Sequence, residues 1–558
     1  ATIAFLGAVA VWLVGRKSLQ QAGWLAVAVL VVAFLAVIFT APAYDTLSFW
    51  FAVLIAGVGA LNMLHATAYL AHNHAQPRFF AAFGIMIAGL LGMTAAKDIF
   101  TFFGFWELMS SWALWAAIIH EENDEARREG FKYFFFNTVG ASFMFLGVAV
   151  LAAHAGTFDL VGIGQKALDM PLMTLAIGIV PVFIGLVMKA AMLPVRIDVQ
   201  MHPALAPTPV SGYISAVLLK SGPWGVLKLF SLFGGSAVFL RLGGEIGGVP
   251  ALIDIIAIIA GITVVYAGAM AVVQNGIKLL LIYSTVSQLG YVLMALCLGT
   301  SLGVAGGLFH FVNHMFLKDT LFLVAGAVMV KSHASQLDEL GGLGRKMPIT
   351  FGFFLFAGLS LAGVPPLNGF SSKWMIFSAA FESGHWALAT GAMVSSLFTL
   401  AAVLKFAHAA FMGAPTAKAL EAEEAPMSML LPMGVLVGAS VVLGFFPGLA
   451  LVPIAKMQVE LGLTPIDASI FGPLPGAGGW SPLALSLLVL ILAAVFIPWM
   501  RLAHRGIQKS GLHFAGATPN DFLPEAGGRV GAVNLFESPT AAIRGLLAAK
   551  PAKAKEQH

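Results

Sequence analysis

Apolar runs of about twenty residues recur from one end of the chain to the other, separated by short polar stretches. Twenty helical residues at 1.5 Å each cross about 30 Å of hydrocarbon, so each run predicts a transmembrane helix. The runs fall near residues 2–15, 23–41, 49–71, 79–96, 98–119, 133–154, 171–194, 207–231, 251–273, 278–299, 302–330, 349–371, 386–412, 429–452 and 481–500. Most connections are short, as antiparallel neighbours in a compact bundle require. Residues 501–558 break the pattern: they are polar, rich in Gly, Ala and Lys, with one weak helical stretch around 538–549.

Composition agrees with a chain dissolved in lipid. Hydrophobic residues make up 59% of 558 positions and charged residues 10%. A soluble protein of this length still needs a polar exterior, which this composition does not supply. The single cysteine, Cys297, sits in an apolar run, so a disulfide framework or a cysteine-ligated metal site is excluded. No basic-aromatic patch outside the apolar runs suggests a nucleic-acid partner. The first run lacks a basic start and precedes many other spans, which argues against a cleaved signal peptide.

Basic residues in the connections predict orientation. The loops after spans 1, 3, 5, 7, 9, 11 and 13 carry Arg16, Lys17, Arg78, Arg127, Arg128, Lys132, Arg196, Lys278, Lys331, Arg345, Lys346 and Lys418. The opposite loops carry only Lys97, Lys166, Arg241 and Lys456. The richer set should be cytoplasmic, which also places the basic 501–558 tail in the cytoplasm, beneath an inner (plasma) membrane.

Six lysines remain, all inside predicted spans: Lys189, Lys220, Lys228, Lys318, Lys373 and Lys405. A charged group at bilayer depth costs a few kcal/mol or more and persists where it faces a bundle interior, a partner or water. Glu107, in FTFFGFWELMSSWALW, is the matching acid. His310, His314 and Lys318 recur at i, i+4 and i+8 and so share one helix face. Such a set suits proton relay. Desolvation opposes the charged form of a buried lysine, a nearby carboxylate favours it, and histidine titrates near neutral pH without help. Simpler readings exist for some members. Lys228 and Lys405 lie near span ends, where a lysine can snorkel to the interface. A lone histidine in an apolar helix is usually a hydrogen-bonded packing residue. His310 and His314 at i, i+4 could ligate zinc, but no third ligand is evident, and no nucleotide-binding or other soluble catalytic motif competes.

Prolines interrupt two spans. Span 7 runs into MKAAMLPVRIDVQMHPALAPTPVSG, with Pro194, Pro207 and Pro209, and span 12 contains AGVPPLNGFSSKW, with Pro365 and Pro366 just before Lys373. Irregular backbone survives at membrane depth only where protein or water covers it. Interrupted spans with lysines nearby, in corresponding parts of spans 4–8 and 9–13, fit an inverted-repeat transporter with its site near mid-membrane. The expected organisation is therefore an all-α integral membrane protein of 14–15 transmembrane helices. It divides into N-terminal helices at 1–78, five-helix repeats at 79–231 and 251–412, C-terminal helices at 429–500 and the 501–558 tail.

Six segments resemble one family: FWELMS around Glu107, KAAMLP from Lys189, APTPVSGYISAVLLKSG containing Lys220, NGIKLLLIYSTVSQLGYV, FHFVNHMFLKDTLFL, and PPLNGFSSKW with Lys373. They cover spans 5 to 12, about half the chain. The family is that of the antiporter-like membrane subunits shared by respiratory complex I, energy-converting hydrogenases and multisubunit cation/proton antiporters. The resemblance implies two inverted five-helix repeats with broken helices in spans 7 and 12. It implies Glu107 paired with Lys189, Lys220 as a connecting lysine, His310, His314 and Lys318 as a central ladder, and Lys373 as the terminal group of a hydrated axis. The stretch LPVRIDVQMHPALAPTP departs from the family's pattern, which leaves Arg196, Asp198 and His202 without an assigned role. The sequence lacks the long lateral helix and final anchor of the distal complex I subunit, which speaks against that subunit and leaves the short-tailed branches open, and PPLNGFSSKW looks most like the hydrogenase branch.

The function expected is proton translocation, with Na+ as a further candidate ion, by a subunit without a redox cofactor or metal of its own. It would be driven by partner membrane subunits and soluble redox subunits. The rivals are a subunit of a multisubunit Na+/H+ antiporter, the proton-driven membrane subunit of an inorganic-carbon uptake system, an inactive scaffold, and a self-sufficient secondary transporter.

Overall fold

The computed structural model describes residues 1–194, 205–233, 237–246, 249–413, 415–476 and 479–503. Its first helices are α1 (Thr2–Gly15), α2 (Leu19–Phe39), α3 (Thr46–Tyr69) and α4 (Gln76–Ala95). Next come α5 (Ile99–Glu107), α6 (Ala113–Ile118), α7 (Asp124–Ala155), α8 (Leu160–Ala167), α9 (Leu172–Lys189), α10 (Thr208–Ala216), α11 (Ser221–Leu232) and α12 (Ala237–Gly243). Beyond a two-residue antiparallel pairing of Glu245–Ile246 with Val249–Pro250 lie α13 (Ala251–Val273), α14 (Ile277–Leu296) and α15 (Ser301–Ser332). The chain continues through α16 (Pro348–Ala362), α17 (Asn368–Glu382), α18 (Trp386–Phe406), α19 (Ala417–Glu421), α20 (Met427–Phe445), α21 (Gly448–Glu460) and α22 (Pro482–Ala503).

The protein is an all-α, multi-pass membrane protein. Among the described residues, ten helices are long and apolar enough to cross a bilayer, and Thr2–Gly15, Pro348–Ala362 and Pro482–Phe496 are shorter apolar helices. Leu6 and Leu13 on α1, Val32 and Phe39 on α2, and Leu490 and Ile491 on α22 are exposed, an outer surface that only lipid or a partner protein can cover. Helices α4 and α14 are interior, with 83% and 89% of their most apolar windows buried. Around them α1 packs on α4, α7 on α9, α13 on α14, and α15 touches α10, α14, α16, α17 and α20. Polar connections cap the helices they precede. Asp45 accepts from the Ser48 amide (2.9 Å) and Asn123 from the Ala126 amide (2.7 Å), satisfying N–H groups that hydrocarbon would leave bare.

The interruptions differ from the expected ones in informative ways. Span 12 is broken as expected, α16 ending at Gly363 with a φ of +89° and α17 starting at Asn368. In span 7, α9 stops at Lys189, ahead of the prolines. Residues 195–204, with Arg196, Asp198 and His202, lie outside the described residues, as do 504–558 with the helical stretch at 538–549. Pro207 and Pro209 start a helix: Pro207 occupies the N-cap of α10 and Pro209 its first turn, where a missing N–H costs nothing. Span 8 has a further break, a 3₁₀ turn at Leu218–Lys220, where Pro223 in the first turn of α11 has no N–H to offer the Leu219 carbonyl. Span 5 winds through a π-helical turn, Leu108–Trp112, between α5 and α6. The run at 429–452 is two helices, because Pro447 holds Phe446 out of the helical region (φ −127°, ψ 66°).

Candidate functional site

Lys189, the last residue of α9, is buried and donates to Ser110 Oγ and Asn137 Oδ1, both at 2.8 Å. The rings of Trp106 and Tyr133 lie 6.0 Å from its ammonium. Glu107 accepts from Ser111 Oγ at 2.6 Å, and its Oε1 is buried without a partner. Glu107 and Lys189 therefore do not touch. The adjacent hydroxyls of Ser110 and Ser111 stand between them, presented by the π turn.

Lys220 closes the 3₁₀ turn between α10 and α11 and is fully buried. Its ammonium donates to the Ser215 carbonyl (2.7 Å), one of the groups the broken helix leaves unpaired, and meets His314 Nδ1 at 2.5 Å. On α15, the His314 and His310 rings are 6.2 Å apart between centroids, as one helical turn requires. His310 Nδ1 meets Ser372 Oγ (2.9 Å) and its Nε2 meets Gln288 Oε1 (3.0 Å). Gln288 donates onward to Thr399 Oγ1 (3.2 Å). Beside Ser372, Lys373 donates to Ser396 Oγ (3.1 Å) and sits 4.8 Å from the Tyr291 ring, while Tyr291 and Ser396 hydroxyls are 3.0 Å apart. Lys318, one turn beyond His314, donates to Ser284 Oγ (2.9 Å) and the Leu281 carbonyl (3.2 Å).

Five residues expected at the site, Lys220, His310, His314, Lys318 and Lys373, thus share one buried polar row where α10, α14, α15, α17 and α18 meet. The break in span 12 helps form it. A Cβ on Gly369 would lie 1.8 Å from the Ser360 carbonyl oxygen, so only glycine lets α17 dock on α16 at the depth that carries Ser372 and Lys373 to His310. Glu107 and Lys189 form a separate cluster. Among the described residues no hydrogen bond joins Lys189 to Lys220.

Two candidates lie elsewhere. Lys228 pairs with Asp45 at 2.6 Å in a partly exposed position at the bundle's end. Lys405 donates to the Val272 and Gln274 carbonyls at 2.8 and 2.9 Å, tying down the C-terminal end of α13. The proline candidates Pro194, Pro365 and Pro366 stand in turns beside the two sites without supplying a polar group.

Residues 96–399 match the NADH:quinone oxidoreductase/Mrp antiporter transmembrane family, and residues 41–80 match the N-terminus of complex I chain 5. NADH-quinone oxidoreductase subunit N of Desulforudis audaxviator is 30% identical over 419 residues, 72% of this chain and 81% of that protein. The chain belongs to the NADH:quinone oxidoreductase/Mrp antiporter family. A probable K+/H+ antiporter protein of Rhizobium meliloti is 31% identical over 426 residues, and the match spans 74% of this chain but only 41% of that longer protein. Among solved structures, a chain of the membrane-bound sulfane sulfur reductase, an archaeal respiratory membrane complex, superposes with a TM-score of 0.82 at 25% identity, covering 99% of this chain and 96% of the other.

For this family member, most residues of the two sites that the sequence did not single out are uncharged: Ser110, Ser111 and Asn137 in the Glu107–Lys189 cluster, and Ser284, Gln288, Ser372 and Ser396 in the row. One signal was in reach. Ser110 and Ser111 follow Glu107 by three and four positions, the spacing that faces a helical neighbour. Asp319 is the charged residue missed. It is fully buried and takes a hydrogen bond from Asn62 Nδ2 at 2.6 Å. Its partner lies on α3, far away in sequence.

Proposed function

We propose that this chain is a proton-translocating, antiporter-like subunit of a larger membrane complex, passing protons along the row from Lys220 through His314 and His310 to Lys373. The observation that carries this reading is the Lys220–His314–His310–Ser372 series. It is wholly buried and linked by hydrogen bonds of 2.5 to 2.9 Å on either side of a two-histidine step whose rings are 6.2 Å apart. A bundle that needed only stability would fill this volume with apolar side chains, since buried charges rarely stabilise more than well-packed hydrocarbon. Two histidines between lysines supply ring nitrogens that can accept a proton on one side and release one on the other. The Glu107–Lys189 cluster is the second element of the path. Its two serines let the pair exchange a proton through hydroxyls without forming a locked ion pair.

The chain is organised around two five-helix units at 79–231 and 251–412, each with a broken span beside a lysine. The loops rich in Lys and Arg, and the tail, face the cytoplasm of an inner (plasma) membrane. It takes its driving force from partner membrane subunits and soluble redox subunits through electrostatic or conformational coupling. The near-complete two-way coverage with a chain of a sulfane sulfur reductase complex favours a redox-driven assembly. Membership of a multisubunit cation/proton antiporter is the second reading, supported by the K+/H+ antiporter relative, whose chain is much longer.

Two experiments test this. In the assembled complex reconstituted in vesicles, Lys189→Ala and Glu107→Gln each abolish proton translocation while assembly persists, and wild-type transport in both variants overturns the path. Mass spectrometry of what co-purifies in mild detergent distinguishes the readings. Iron–sulfur and other redox subunits indicate a redox-driven pump, small membrane subunits alone a cation/proton antiporter, and one large zinc protein a carbon-uptake system.

A further inference from the structure

We infer that Asp319, Asn62, His65 and Tyr69 form a second proton route, joining the lysine–histidine row from the face of the bundle that carries Arg78. The inference rests on the function proposed above and adds the place where protons reach the row.

The junction is a pair of oxygen atoms without a donor. Asn62 spends both amide hydrogens, one on the Val58 carbonyl (3.0 Å) and one on Asp319 Oδ2 (2.6 Å). That leaves Asn62 Oδ1 and Asp319 Oδ1, both buried and both unpartnered. They face the same small space, lying 3.6 and 3.0 Å from the point where Gly212 would carry a Cβ. Two facing acceptors are satisfied by a proton on the carboxyl or by a water between them, and the absence of a side chain on Gly212 leaves room for either. The surrounding charged and titratable groups are Lys220 on the 3₁₀ turn after α10, Lys318 on α15 and Tyr213 on α10, whose hydroxyl is already committed to the Ile55 carbonyl (2.9 Å).

The route continues along α3. Asn62, His65 and Tyr69 fall at i, i+3 and i+7 and so share one face of the helix. α3 and α15 run alongside one another in the same direction, Asn62 meeting Asp319 and His65 meeting Leu323 four residues on. His65 Nε2 lies 3.1 Å from the Leu323 carbonyl. A carbonyl only accepts, so this nitrogen holds the hydrogen, and Nδ1 is left as a bare, buried acceptor with no partner. That is the state in which an imidazole takes a proton from a neighbouring water. The His65 and Tyr69 rings are 6.3 Å apart, and Thr208 Oγ1 reaches Tyr69 Oη at 3.2 Å. Tyr69 is only partly buried, and Glu121 and Lys278 lie around this end of the route. A polar column therefore runs from a partly open end to the centre of the membrane row. Its three unpartnered atoms, Asp319 Oδ1, Asn62 Oδ1 and His65 Nδ1, are unexplained by any structural duty.

The test uses the complete assembled complex in vesicles, comparing wild type with Lys318→Ala, Asp319→Asn, Asp319→Glu, His65→Gln and Gly212→Ala. Asp319→Asn supplies an N–H to Asn62 Oδ1 and keeps the packing, but it cannot titrate. On the proposed route it slows proton translocation at least about tenfold and flattens its dependence on pH, while Asp319→Glu restores much of both. His65→Gln and Gly212→Ala, one removing the relay nitrogen and the other filling the junction, slow translocation likewise. If Asp319 merely holds α3 to α15, Asp319→Asn behaves as wild type with an unchanged pH profile, and that result overturns the route. Should Asp319→Asn fail to assemble, wild-type transport in both His65→Gln and Gly212→Ala overturns it equally. Loss of transport in Lys318→Ala beside normal rates in the others sinks this route alone, whereas no proton movement by the wild-type complex sinks the proposed function with it.

Discussion

Replacing Lys220 with methionine separates the transport role of the row from its structural role. Met keeps most of the stem's volume and removes the ammonium, so the Ser215 carbonyl and His314 Nδ1 both lose their donor. His314 Nε2 already lacks a partner, so the whole ring is left unpaired. Each buried acceptor orphaned in this way costs about 1–3 kcal/mol, roughly 2–6 kcal/mol for the two. Against this, the protein no longer buries an ammonium, and that relief is also several kcal/mol. The two contributions nearly cancel, and the melting temperature of the purified complex should move only a little. Transport has no such offset. The group that meets His314 from the α10 side is gone, and a step in series has no bypass, so the translocation rate should fall by at least about tenfold, equivalent to ~1.4 kcal/mol on the barrier. The assay is the initial rate of pH-gradient formation in vesicles, normalised to the complex's driving activity, alongside thermal unfolding in detergent. His314→Gln should give a similar rate, and the double variant no worse than either, because steps in series are not additive. A Lys220→Met complex that is stable and pumps at the wild-type rate would refute the row as the proton path.

Further outcomes follow from single contacts. Ser110→Ala takes one of the two hydrogen bonds from Lys189, a contact to a charged group worth about 1.5–3 kcal/mol; it should slow translocation without blocking assembly, measured as rate per assembled complex. Gly369→Ala forces a Cβ against the Ser360 carbonyl and should destabilise the α16–α17 junction by about 1–3 kcal/mol or more, read as a lowered melting temperature and loss of Lys373-dependent transport. Lys405→Met should lower stability by exposing the carbonyl end of α13 while leaving the rate per assembled complex unchanged. Burial alone would raise the Asp45 carboxyl, but its ion pair with Lys228 and the Ser48 amide outweigh this and hold it below the usual carboxylate value. Because the folded value is depressed, its stabilising contribution is present above the ordinary carboxylate range and is lost as pH falls through the folded value; Asp45→Asn should remove that part of the acid dependence of unfolding.

Much of this protein is legible along the chain. Twenty-residue apolar runs force helices because hydrocarbon leaves a backbone no other partner, and a lysine or glutamate in such a run announces a polar interior because nothing else would hold it there. Lys189, Lys220, His310, His314, Lys318, Lys373 and Glu107 were visible on those grounds alone, as was the break at Pro365 and Pro366. What tertiary structure decided is which of them meet. Lys228 and Lys405 stood apart in the sequence only by their places near span ends; in the fold one faces Asp45 at the bundle's end and the other a helix terminus. Glu107 and Lys189, one acid and one base, read as a pair until a π turn set two serines between them. The break at Lys220, beside Pro223, was passed over because its span reads as one apolar run, and Asp319 finds its partner 257 residues away on α3. The physical reason is that membrane insertion depends on one segment's own hydropathy. The state of a buried polar atom depends on the few ångströms around it, and those are filled by residues distant in sequence.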